Sequence, residues 1–279
     1  MKEAILNLAA EQKISAVGIC STSDYAEKTK GLLEKASFCA ENNYDLSGKK
    51  SIIVCAFNYY NGAKKGNISR YAQGADYHKV TIQKMESICR LLEEKGFSAE
   101  AFADTGMLNE RLLAKLSGLA FFGRNRMAIN ERLGSYFFIG YIITDCELPV
   151  DSPNNNKCAE CGKCVSACPL GALSDGSFCE SKCLSYITQR KGELSEVEKN
   201  AMRKAKTIWG CDICQEVCPH NHNLAVTDIE EFGENLITDL VIDTELSGSE
   251  FKRLYGSRAF SWRGKKVLER NQKIVNTPI

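Results

Sequence analysis

The sequence predicts a mixed α/β (α+β) fold, with strands and helices in layers through the first 150 residues and then a smaller module organised by cysteine spacing. Three observations lead there. Short runs rich in β-branched residues alternate with stretches of helical period, the pattern that builds layered domains. Fourteen of the 279 residues are cysteine, and nine of them fall between residues 158 and 218. The rest of the composition, 44% hydrophobic and 25% charged, is that of an ordinary globular chain and excludes disorder, collagen and coiled coil as descriptions of the whole.

Each element follows from its own stretch. Residues 2–12 carry a helical period, and residues 14–20 read as a buried strand ending in small side chains. Residues 24–39 are helical in pattern. SIIVCAF, residues 51–57, is a second strand, and residues 76–94 form a long amphipathic helix that Gly96 can close. Residues 98–103 make a third strand. Asp104 or Thr105 caps the next helix, which runs to Ser117 and stops at Gly118. Residues 136–144 are a fourth strand, too apolar on both faces for a surface. Neither G-x-G-x-x-G nor a Walker loop occurs, so nucleotide binding has no local support. DSPNNNK, starting at Asp151, is a polar linker or turn. The expected divisions are therefore 1–150, 151–225 and 226–279, the last an acidic and then basic extension packed on the rest.

The longest apolar stretch, 136–144, is far too short to cross a bilayer. Glu3, Glu11 and Lys13 interrupt the N-terminus where a secretory leader needs an apolar run. A cytoplasmic monomer with no membrane partner is expected. The formal charge of +1 gives no global sign of a nucleic-acid partner. Locally, residues 228–250 hold eight acids and no base, while residues 252–273 hold eight Lys or Arg against the single acid Glu269. That basic tail could reach phosphates.

In a reducing compartment this many thiols point to metal or redox chemistry rather than disulfides. Cys158-x2-Cys161-x2-Cys164-x3-Cys168-Pro169 is the run of a bacterial ferredoxin. Three thiolates from one tight turn reach three iron corners of a cubane, and the fourth faces away to ligate a second cluster. Cys211-x2-Cys214-x3-Cys218-Pro219 repeats the tail of the pattern, one cysteine short. Crossed ligation then assigns Cys158, Cys161, Cys164 and Cys218 to one 4Fe–4S cluster. Cys168, Cys211, Cys214 and an intervening cysteine, Cys183 in preference to Cys179, hold the other. A zinc ribbon is the competing account. Cys20, Cys39, Cys55, Cys89, Cys146 and Cys179 read mostly as small buried hydrophobes.

ADTGMLNERLLAKLSGLAFFGRNRMAIN, residues 103–130, resembles the D-T-G-P-x-x-E-R…G-x-x-G-K-N stretch of epoxyqueuosine reductases. SIIVCAFNYY (51–60), SRYAQGADYHK (69–79), the CLSYIT after Lys182 and GCDICQEVCPHN (210–221) agree, and the resemblance spans essentially the whole chain. It implies a nitroreductase-like cobalamin-binding domain, related to that of reductive dehalogenases, followed by a two-cluster ferredoxin-like domain. The implied reaction is reduction of epoxyqueuosine to queuosine at the wobble position of a tRNA, by Co(I) cobalamin fed from two 4Fe–4S clusters. The implied partners are a tRNA anticodon stem-loop and an external low-potential donor such as a flavodoxin or ferredoxin.

On the matching positions, Asp104 would give a proton to the epoxide oxygen, its pKa raised against the corrin. Tyr71, Asp104, Asn125, Ser135 and Ser185 would contact the cofactor, with Arg124 and Lys182 as phosphate or amide partners. With only His78, His220 and His222 present and no D-x-H-x-x-G segment, a base-off cofactor without a histidine ligand is implied. His78 stands either near the substrate or on a helix surface; His220 and His222 read as groups around the second cysteine run or in solvent. Met107 replaces the family proline, a change tolerable early in a helix, and Arg124 replaces its lysine with different donor geometry. Many members continue into a C-terminal helical-repeat domain about where Ile279 stands, so affinity for tRNA is a point to test. A cobalamin-dependent reductase of a small molecule and a non-catalytic electron-transfer or cobalamin-reducing protein are the alternative functions.

Overall fold

The computed structural model describes residues 1–33, 45–174 and 177–278. Cys39 and the expected helical residues 34–39 lie outside them. The chain divides into two compact units with interrupted boundaries: 1–58, 78–123 and 127–158 form the first, and 59–77, 124–126 and 159–279 the second.

The first unit is built on α1 (Lys2–Glu11), β1 (Ala16–Ser21), α2 (Thr22–Leu33), β2 (Ser51–Asn58), α3 (Tyr77–Glu94), β3 (Ala99–Ala103), α4 (Glu110–Leu116), the short strands β4 (Phe121–Phe122) and β5 (Ala128–Ile129), and β6 (Phe137–Thr144). The four strands read from the sequence all form, in the order β1-β2-β6-β3, and every pairing is antiparallel. The sheet is thus of the α+β kind even though helices separate its strands in sequence. β2 is buried along its full length, with Ile52 opposite Ile143 and Val54 opposite Tyr141. Leu112, Leu113 and Leu116 of α4 pack on this face with Ile52, Val54, Phe137 and Tyr141. Asp151, expected in a linker or turn, is tied to the sheet edge. Its carboxylate accepts from Ile19 N–H at 2.9 Å and pairs with Lys2 Nζ at 2.7 Å, while its own N–H donates to Ile19 O at 2.8 Å.

One expected boundary is overturned. α4 begins at Glu110, with Asn109 as its cap accepting from Leu112 N–H at 3.1 Å. Asp104 and Thr105 do not cap it. Asp104 has φ +59°, in the left-handed region, and residues 104–109 form a loop. Gly106 explains the path: a Cβ there would collide with the Tyr141 hydroxyl, which also accepts from Leu108 N–H at 3.1 Å. Met107 is accordingly an exposed loop residue rather than part of a helix.

The second unit contains α5 (Lys163–Ala167), the small hairpin β7 (Leu173–Ser174) and β8 (Ser177–Phe178), α6 (Leu184–Gln189), α7 (Glu196–Ala205), α8 (Ile213–Glu216), α9 (Glu230–Gly233), α10 (Gly248–Tyr255) and α11 (Lys265–Asn276). Residues 59–77 belong here because Ile68 bridges Trp209, Ser69 N–H donates to Trp209 O and Ile208 N–H donates to Asn67 O, each at 2.8 Å. Ile68, Trp209, Phe251, Phe260 and Leu268 share one core, and residues 226–279 fall in the same compact unit as most of the cysteine segment. Part of the basic tail is committed to holding it: Arg258 donates to Gln73 O and Asn235 O, and Arg270 to Arg190 O. Among the described residues no helix is long and apolar enough to cross a membrane.

Candidate functional site

Each cysteine run is built around a short helix, α5 in the first and α8 in the second, and the two helices pack together. Cys164 is buried on α5, and Cys168 follows that helix with Ala172 N–H pointing at its Sγ at 3.2 Å. Cys214 is on α8, between Cys211 and the buried Cys218. The second run is held in place by a polar frame. Asp212 accepts from the Ser69 hydroxyl and from Arg70 N–H at 2.8 Å, and Gly210 N–H donates to Thr188 Oγ1 at 2.9 Å. Gly210 has φ +70°, and a Cβ there would strike the Ser69 side chain, so glycine is required.

Burial pushes the Cys211 thiol up to about 12, and the neighbouring Asp212, Cys183 and Cys168 add to the shift. Burial likewise raises Cys214, with Cys211, Cys183, Asp212 and Cys168 contributing. Cys168 and Cys183 therefore sit within electrostatic reach of both Cys211 and Cys214. Cys211 and Cys214 cannot both become thiolates in so desolvated a place without a compensating cationic centre. An iron cluster supplies one, so the donor set fits that group. Cys179 is different: it is exposed, 3.3 Å from Ser181 Oγ, and that hydrogen bond first of all holds its thiol below the ordinary value. Cys161 is exposed and lies in the second unit with Cys164 and Cys218, while Cys158 is the last residue of the first. Among the described residues no three His, Cys, Asp or Glu side chains gather as a single ion would need; a cubane spreads its ligands over separate corners. Of the other cysteines, Cys20, Cys55 and Cys146 are buried and Cys89 is half-buried.

The first unit carries the candidate acid. Asp104 is exposed, and its Oδ2 lies 3.0 Å from His78 Nε2. Its backbone N–H donates to Glu110 Oε1. Below, the loop is tied down by Tyr141 and by Tyr25, whose hydroxyl accepts from Asn109 N–H at 2.7 Å. The carboxyl is thus presented outward on a backbone fixed from behind. The sequence left His78 open between two roles and missed Glu110, although both belong to the motifs quoted above; no local signal says that the two converge on Asp104.

Burial pushes Glu110 up to about 7; the hydrogen bond from Asp104 N–H opposes that rise, and the Asp104 charge reinforces it. A carboxyl whose folded pKa is raised contributes its full stability below the unfolded value, near 4.5, and loses it as pH rises through about 7. The melting temperature of the wild-type protein is expected to fall between pH 5 and pH 8 relative to that of Glu110→Gln, which keeps an oxygen to accept from Asp104. Parallel pH profiles for the two proteins in anaerobic thermal melts would refute this.

The expected cofactor contacts are distributed. Ser135 is buried in the first unit with Asp104. The other five belong to the second. Tyr71 accepts at its hydroxyl from Trp209 Nε1 at 2.8 Å. Asn125 is buried at the tip between β4 and β5, donating to Cys214 O at 3.4 Å, with the half-exposed Arg124 beside it. Lys182 is exposed, and Ser185 accepts from Gln189 Nε2. Tyr71 and Ser185 are thereby held in place by neighbours in the second unit. His220 is half-buried and His222 exposed, just past Cys218.

Comparison with known proteins accords with this geometry. Residues 157–221 match the model of a 4Fe-4S double cluster binding domain, and residues 44–105 match "Epoxyqueuosine reductase QueG, DUF1730". An epoxyqueuosine reductase of Bacillus anthracis is 31% identical over 97% of this chain and 78% of its own length. One from Leadbetterella byssophila is 33% identical over 97% of both chains. Among solved structures, the epoxyqueuosine reductase of Streptococcus thermophilus is 29% identical with a TM-score of 0.82, covering 99% of this chain and 80% of that one. Another epoxyqueuosine reductase, solved with an epoxyqueuosine-modified tRNA stem loop, is 27% identical with a TM-score of 0.82 over 98% of this chain and 80% of that one. The reductive dehalogenase NpRdhA shares the fold alone, at 19% identity, a TM-score of 0.52 and coverage of 80% and 32%. With its cysteine runs, its D-T-G loop and its full span matched at this level, the chain belongs to the epoxyqueuosine reductase family.

Proposed function

We propose that this chain reduces epoxyqueuosine to queuosine at the wobble position of a tRNA, with cobalamin and two 4Fe–4S clusters, as a cytoplasmic monomer served by an external low-potential donor. The observation that carries the reading is the Asp104 carboxyl, paired with His78 at 3.0 Å and anchored through its N–H by Glu110, in a chain that also holds both cysteine runs. Opening the epoxide and expelling its oxygen as water consumes two electrons and two protons. When bound, the corrin cobalt supplies strongly reducing chemistry, and the clusters supply electrons one at a time.

The protein's own groups handle protons and position. Asp104 faces outward and gives a proton to the departing oxygen. His78, partly exposed beside it, returns a proton from solvent. Glu110 fixes the loop so that the carboxyl does not wander. Arg124, Lys182, Asn125 and Ser135 are the side chains that would hold the cobalamin periphery. His78, the single histidine of the first unit, is engaged with Asp104, which suits a cobalt without a protein imidazole. Cys158, Cys161, Cys164 and Cys218 would hold one cluster, and Cys168, Cys183, Cys211 and Cys214 the other. The tRNA stem loop bound by a related reductase supports the anticodon stem-loop as partner.

The test is direct. Protein carrying clusters and cobalamin, given reduced methyl viologen and tRNA bearing epoxyqueuosine, is expected to remove one oxygen atom from that nucleoside, read by mass spectrometry. Fully loaded protein that leaves the nucleoside unchanged would sink the reading.

A further inference from the structure

Clusters that give up electrons must be refilled from outside, and one face of the second unit is unusually basic. Lys65, Gly66 and Asn67, the end of α7 from Arg203 to Lys206, and Val275 and Asn276 surround a cavity of about 620 Å³. Its lining has four cations, Lys65, Arg203, Lys204 and Lys206, against one acid, Asp239. In a chain of net charge +1 that is a local concentration. Arg203 is used for framing, donating to Ile274 O at 3.2 Å and to Asn200. Lys65, Lys204 and Lys206 are exposed, and Lys65 pairs at 3.0 Å with Glu216, two residues past Cys214.

A second, narrow cleft of about 20 Å³ shares Lys65, Gly66 and Ala205 with the cavity and reaches Cys211, Asp212 and Ile213. The basic cavity and the second cysteine run thus lie on two sides of the same few residues. We propose that this cavity is the docking surface for an acidic one-electron carrier protein and that electrons enter the chain at Cys211.

The step balances simply. The reduced carrier loses one electron, the cluster held by Cys168, Cys183, Cys211 and Cys214 gains it, and no bond or proton changes at the sulfurs. Two such transfers match one epoxide reduced. An RNA phosphate would also welcome the lysines, but it has no use for a cleft that leads to a cluster ligand, and a concave basin fits a protruding acidic edge better than a phosphate ribbon. The inference rests on the proposed function only in requiring the clusters to be present.

The test uses protein with both clusters assembled and the hydroquinone form of a flavodoxin, an acidic flavin carrier, as probe. Cluster reduction is followed by anaerobic stopped-flow absorbance. Lys204→Glu with Lys206→Glu is expected to slow reduction by the carrier at least about tenfold, as lost electrostatic steering does. Reduction by methyl viologen radical, a small cation that needs no docking surface, is expected not to slow. In the wild-type protein the carrier rate is expected to fall steeply with added salt. A salt-independent wild-type rate, or an unchanged rate in a variant whose clusters viologen still reduces, overturns the proposal. So does a variant that loses affinity for tRNA in a native gel while the carrier rate holds, since the surface would then serve RNA. Turnover of epoxyqueuosine tRNA with viologen as reductant tests the proposed function separately, because it bypasses the carrier.

Discussion

Asp104→Asn is expected to lower turnover by about 10²–10⁴-fold, the usual contribution of a positioned acid, while iron content, cobalamin binding and melting temperature stay close to wild type. The reason is geometric. Asp104 lies outside α4, whose cap is Asn109, so no helix start depends on its side chain. It is exposed, and a surface change of this kind ordinarily moves stability by less than about 0.5 kcal/mol. An amide keeps a hydrogen-bonding partner for His78 and leaves the N–H to Glu110 intact, but it has no proton to give. Electron flow through the clusters should survive. Single-turnover assays with pre-reduced protein isolate the chemical step; an Asp104→Asn protein that converts modified tRNA at the wild-type rate would remove Asp104 from the mechanism.

Cys183→Ala is expected to reduce iron from about eight atoms per chain to about four, as loss of one of two cubanes requires, and Cys179→Ala to leave it unchanged. Cys183 acts on both Cys211 and Cys214, whereas Cys179 is exposed and bonded to Ser181. Iron analysis and the low-temperature resonance of the reduced protein read the outcome. Halved iron in Cys179→Ala, with full iron in Cys183→Ala, would reverse the assignment. Because the second run is also the proposed point of electron entry, Cys183→Ala should slow reduction by carrier and viologen alike, unlike the lysine reversals.

Much of this was legible before any coordinates. The four main strands are local runs, and each formed within about two residues of its expected span because a short apolar, β-branched stretch is written into consecutive side chains. The cysteine runs are legible for a related reason: cluster ligands within one turn must keep fixed spacings along the chain. Asp104 stands out by its motif. Glu110 does not, since its importance lies in a hydrogen bond to a backbone N–H six residues away across a loop.

The sequence alone determined the main strands, the cysteine spacing and the D-T-G motif that holds Asp104, all of which depend on residues close together along the chain. Only the tertiary structure decided the rest: the antiparallel order β1-β2-β6-β3, the capture of residues 59–77 by Trp209 and Asp212, the release of Asp104 from a capping role, and the approach of Cys168 and Cys183 to Cys211 and Cys214. Each of these comes from contacts between residues far apart in sequence. Their energies depend on which distant surfaces are buried together, and no local period records that choice.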